Sequence, residues 1–135
     1  MKTILFCISF SVIAFYSAEA QANLTSSDSS IVGIWKGTSL CQVKGSSCHD
    51  EIVIYHISKG SGIDTFNIKA NKLVNGIEED MGILQFKFDR KTNQLISIAG
   101  KGTWTFAVKN KSLDGTLTVQ GILYRIIKLS KQGQD

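Results

Sequence analysis

The sequence predicts an all-β chain, an eight-stranded antiparallel up-and-down barrel, on three observations. From Ile31 onward, β-branched and aromatic residues alternate with polar ones at a period of two. Gly, Asn or Asp interrupts that alternation at short intervals, leaving connections too short for parallel crossovers. Beyond the N-terminal apolar stretch, no window of a dozen residues has helical spacing. The 135 residues, 43% hydrophobic and 19% charged, exclude a disordered, collagen-like or coiled-coil chain and are enough for one core.

Residues 1–20 read as a secretory signal. Lys2 precedes an apolar run from Ile4 to Tyr16, and Ser17-Ala18-Glu19-Ala20 supplies small residues for cleavage before Gln21. About 13 apolar residues span only about 20 Å as a helix, short of a bilayer core of roughly 30 Å. The expected location is therefore secreted or periplasmic, with no membrane span after cleavage. Cleavage removes Cys7 and leaves Cys41 and Cys48, an even count that predicts one disulfide closing a small loop. It also removes one positive residue, Lys2, and one negative, Glu19, so the formal charge stays at +4. The basic residues are dispersed, which argues against nucleic acid as a partner.

Residues 21–30 are small and polar and predict a flexible leader. Residues 31–131 form the expected barrel domain, followed by a short tail over 132–135. The strands are expected at Ile31–Gln42, Cys48–Lys59, Asp64–Ala70, Asp80–Asp89, Gln94–Ala99, Gly102–Lys109, Ser112–Val119 and Ile122–Ser130. Asn71–Glu79 has room for one helical turn. Closing the meander removes its unpaired edges, and eight strands leave an interior that is either filled or able to hold one small ligand. A β-sandwich is the alternative architecture.

One parity of each strand faces inward in a barrel. It comprises Trp35, Phe66, Ile68, Leu84, Phe86, Phe88, Trp104, Phe106, Leu117 and Val119, which form either a solid core or the wall of an apolar pocket. The connections after strands 1, 3, 5 and 7 all lie at the end opposite Trp35, the open end. That topology brings His49, Asp50 and Glu51 to the same rim as Glu78, Glu79 and Asp80, where carboxylates with one histidine point to a cationic or metal-linked head group. Charged strand ends also serve solubility. His49 and His56 are an odd number of residues apart and face opposite sides of a regular strand, so no metal site is expected, and no cofactor.

Gly33-Ile34-Trp35 opens the first strand and Tyr124-Arg125 lies on the last, a placement that resembles the lipocalins and the wider calycin group. The resemblance implies that Trp35 plugs the closed floor of the barrel and that the Arg125 guanidinium covers it. It further implies a binding protein for a small hydrophobic or amphipathic molecule, with Phe66, Ile68, Leu84, Phe86, Phe88, Trp104 and Phe106 around the ligand. The chain is shorter than most lipocalins and lacks their C-terminal helix. No G-x-S-x-G or HExxH motif is present, and Ala99-Gly100-Lys101-Gly102-Thr103 has the wrong spacing for a phosphate loop, so a binding module is expected and not an enzyme. The alternative is an exported interaction module, resembling a protease inhibitor or an adhesin, with a filled core and a protein partner that residues 21–30 engage.

Overall fold

The structure, a computed structural model, describes residues 26–133. The expected signal segment, residues 21–25 of the leader and residues 134–135 of the tail lie outside the described residues. The elements are α1 (Ser26–Ile31), β1 (Gly33–Cys41), β2 (Glu51–Lys59), β3 (Thr65–Val74), β4 (Ile77–Asp89), β5 (Gln94–Ala99), β6 (Gly102–Val108), β7 (Ser112–Val119) and β8 (Ile122–Lys131). Each strand pairs antiparallel with its neighbour in sequence, and β8 returns to β1, which closes the sheet into an up-and-down barrel. The sandwich alternative is thereby excluded.

The expected strands are all present, and their ends shift for local reasons. Asn75 and Gly76 both take positive φ, the geometry of a two-residue turn whose twist matches the strands it joins. Strands β3 and β4 therefore run on to a Val74–Ile77 pair, and strand replaces the helical turn allowed at Asn71–Glu79. The second strand starts at Glu51 instead of Cys48, because Cys48 is bonded to Cys41 and belongs to the loop that this bridge closes.

Within the described part of the leader, Ser26–Ser30 makes up most of the short helix α1. Ile31 is fully buried in the core, and Asp28 is buried against Lys59 and Arg90, at 3.3 and 3.1 Å. The carbonyls at the end of a helix need partners. Here Lys131 donates to those of Ser29 and Ser30, and the Trp35 indole N–H donates to that of Ile31 at 2.9 Å. Apolar burial and these bonds hold α1 beneath the barrel.

All ten residues expected to face inward do so in the strand registers. Trp35, Phe66, Ile68, Phe86, Phe88, Phe106 and Leu117 are buried, whereas Leu84, Trp104 and Val119 are partly buried. Val53, Ile57, Leu95, Leu113, Ile127 and Leu129 join them in the core. Aromatic rings pack edge to face in this layer, Phe66 on Phe88 and Tyr55 on Phe106, each with centroids 6.2 Å apart. Gly115 pairs with Phe106 across β6 and β7, and a Cβ there would strike the phenyl ring. The ring lies flat over a backbone that only glycine leaves bare.

Candidate functional site

The floor places Trp35 as the lipocalin resemblance implies, but Arg125 does not cover it. Strand β8 runs antiparallel to β1, so Trp35 pairs with Lys131 and Arg125 pairs with Cys41. Six residues at roughly 3.3 Å each put Arg125 about 20 Å from Trp35 along the barrel. The cation over the Trp35 ring is Lys131, its Nζ 5.6 Å from the ring centroid. Arg125 stands at the open end.

On β1 and β3 the inward positions shrink toward that end, from Trp35 to Ser39 and from Phe66 to Ala70, and beside them lies a cavity of about 350 Å3. Its apolar walls are Leu84, Trp104, Leu117 and Ile127, and Ala70 leaves space where a larger residue would close it. Tyr55, Phe86 and Phe106 separate this space from the packed floor, and only a void of about 20 Å3 remains among them. The polar groups of the cavity are Ser39, Glu51, Tyr55 and Arg125. Burial pushes the Tyr55 hydroxyl up to about 12, opposed by the nearby Arg125 charge, so it stays protonated at neutral pH. At the edge of β4 the cavity also touches Met81, Gly82 and Ile83.

Arg125 is mostly covered. Its Nη1 donates to the Ser39 carbonyl and hydroxyl oxygens at 3.3 and 3.1 Å and to the His49 carbonyl at 3.0 Å, with Glu51 Oε2 at 3.4 Å. Among the described residues, these contacts all involve Nη1. The guanidinium is planar and carries further N–H groups on Nε and Nη2, suited to a second planar anion.

The two acidic runs do reach the same end, yet each carboxylate is already engaged. Asp50 accepts from the Cys41 backbone N–H at 2.8 Å, and Glu51 faces Arg125. Glu78 accepts from Asn71 at 2.7 Å and from His56 at 2.9 Å, and these two bonds, Asn71 first, hold its carboxyl below the usual carboxylate range. Glu79 pairs with Lys72 at 3.8 Å and Asp80 with Lys69 at 3.6 Å. His49 contributes its backbone carbonyl to the site. Among the described residues no group of three or more His, Cys, Asp or Glu is placed to hold a metal ion.

Of the expected cavity residues, Leu84 and Trp104 line the open space. Ile68, Phe86 and Phe106 close its base, and Phe66 and Phe88 belong to the floor. Ser39, Tyr55, Ala70, Ile127 and the cavity role of Arg125 were not foreseen. For Arg125 the signal was available: it follows the turn at Gln120-Gly121, and the meander puts that turn at the open end. For Tyr55 it was not, because Ile52, Val53, Ile54, Tyr55 and Ile57 are apolar at both parities.

The Cys41–Cys48 disulfide is present, and no helix among the described residues is long and apolar enough to cross a membrane. No family model, curated protein or solved structure matches the chain.

Proposed function

We propose that this protein is an exported binding protein, lipocalin-like in plan, that holds a small amphipathic acid in the open half of its barrel. The apolar body of the ligand packs on Leu84, Trp104 and Leu117, and its anionic group meets Arg125. The observation that carries this reading is a mostly covered guanidinium inside an apolar cavity, whose hydrogen bonds and ion pair with the described residues all run through one of its nitrogens. The cavity volume lies at the lower end of the range for small-molecule sites. At roughly 30 Å3 per heavy atom, the liquid volume of a water, it holds about a dozen heavy atoms. An acid of about ten carbons fills it. Because the rim carboxylates are paired, a cationic head group has less to bind than an anionic one.

Calorimetric titration with decanoate, decanol and decylammonium tests this. Decanoate is expected to bind tightest. Arg125→Gln should weaken decanoate about tenfold or more, by removing a charge-assisted contact, and should move decanol less than about threefold. Glu51→Gln, which removes the competing carboxylate, should tighten decanoate. Binding by none of the three probes, or tightest binding of decylammonium, overturns the reading.

A further inference from the structure

The barrel wall is not uniformly closed. Strands β4 and β5 share three paired positions, Asp89–Gln94, Phe88–Leu95 and Lys87–Ile96, all at the floor end. Beyond them, Ser97, Ile98 and Ala99 of β5 have no partner on β4, although β4 continues to Ile77 and stays paired with β3 on its other edge. Between β4 and β5 the open half of the barrel therefore has a slit.

The cavity reaches this slit. Successive strand residues point to opposite faces, and the cavity nonetheless touches both Leu84, which faces inward, and Ile83, which pairs with Lys69 on the outer face and is 64% exposed. No β5 residue lines it, and the wall passes from β4 directly to Trp104 of β6. Gly82 lies at the edge with φ of 107°, and apart from its chain neighbours no atom stands within 4 Å of where its Cβ would be. Outside, Ile83, Ile98 and Met81 leave apolar surface exposed along the two strands.

We infer that the slit between β4 and β5 is the lateral half of the binding site and takes the unbranched tail of a long-chain acid whose head group is held by Arg125. This rests on the small-ligand reading above and specifies its ligand class. A rigid, compact ligand of a dozen heavy atoms would have no use for the opening. A chain longer than about ten carbons exceeds the cavity, and the slit leads it out across Gly82 onto the apolar edge formed by Ile83 and Ile98. The same route admits the ligand from the side.

The test compares decanoate with tetradecanoate and hexadecanoate. In the unmodified protein, affinity should rise roughly two- to fourfold per added methylene, the range from half to full burial of each group. Continuing the Lys87–Ile96 register places Gln85 opposite Ile98, so Gln85→Cys with Ile98→Cys, oxidised and verified by the loss of two hydrogens in the intact mass, ties the two strands together across the slit. Oxidised, this variant should bind decanoate within about twofold of the parent and hexadecanoate at least tenfold more weakly. Its reduced form should recover, judged against the parent treated with the same reductant. Ile98→Glu, at an exposed position, is an independent arm: it should weaken hexadecanoate severalfold and leave decanoate within twofold. If decanoate itself does not bind, the small-ligand reading fails and the slit assignment with it. If decanoate binds but neither chain length, the lock nor Ile98→Glu changes the ranking, the slit assignment alone is overturned. Chain-length independence with a dimer that the lock abolishes assigns the slit to the edge strand of a second copy, which also overturns the proposal.

Discussion

The floor and the open half of the barrel are built by the same eight strands, at the same parity, and end up with opposite properties. Along β1 the inward residue changes from Trp35 at the floor to Ser39 near the mouth, along β3 from Phe66 to Ala70, and along β4 from Phe88 to Leu84. Large buried side chains pack against one another at the floor. Small ones leave the upper half open, with the Arg125–Glu51 pair inside it. The cavity thus lies beside the strands whose inward side chains shrink, β1 and β3 above all, while β6 keeps the large Trp104 as its wall, and the floor that closes it is completed by α1 from outside the sheet. A second, smaller crevice of about 210 Å3 sits at the edge of the floor beside Ser30, Phe88 and Asn93.

If this division holds, core truncation should separate the halves most clearly. Phe106→Ala removes a fully buried ring that packs on Tyr55, Phe86 and Gly115, and should cost about 3–5 kcal/mol in urea denaturation. Trp104→Ala, at a partly buried position facing the cavity, should cost about 1–2 kcal/mol and weaken decanoate binding at least tenfold. Equal stability losses would break the comparison.

Next in size is the anchor of the floor. Asp28→Ala removes the buried carboxylate that Lys59 and Arg90 share. Both cations are partly exposed, so the loss should be about 1–3 kcal/mol by denaturation, with decanoate affinity unchanged. A change in ligand affinity would show that the two halves are coupled.

Filling the cavity sharpens the contrast from the other side. Ala70→Leu adds volume where space exists and should alter stability by less than about 1.5 kcal/mol while abolishing decanoate binding. Gly115→Ala adds a single carbon under Phe106 and should destabilise more than the leucine does, as thermal unfolding of the two variants would reveal.

The smallest effect is that of pH. The Arg90 hydrogen bond holds the Asp64 carboxyl below its ordinary value of 3.8. A depressed folded value adds stability that is fully present above the unfolded value and disappears as pH falls through the folded one. Asp64→Asn should therefore lower the denaturation midpoint at pH 6 and converge with the parent as pH drops below about 4. A constant offset down to pH 2 would contradict this electrostatic origin.

The fold was legible because period-two alternation and turn residues are local signals, and in a meander local signals determine which strands are neighbours. The cavity was less so. Parity identifies Trp104 and Phe106 as inward, but their heights relative to Ser39 or Ala70 depend on the registers of closure, which no single strand encodes. Arg125 shows how a family resemblance can override better information: the Gln120-Gly121 turn already placed it near the mouth. Asp28 sits in a polar stretch whose sequence gives no sign of burial, because its partners, Lys59 and Arg90, lie 31 and 62 residues away. The slit at β4 and β5 had no sequence signal, since Ser97, Ile98 and Ala99 alternate like any strand.

The most direct measurement is amide chemical-shift mapping of the isotope-labelled protein titrated with decanoate. Saturable shifts centred on Ser39, Leu84, Trp104, Leu117 and Arg125, with Trp35, Phe66, Leu113 and Leu129 unmoved, are the expected result. An unchanged spectrum, or shifts centred on the floor residues, would contradict a ligand site in the open half of the barrel.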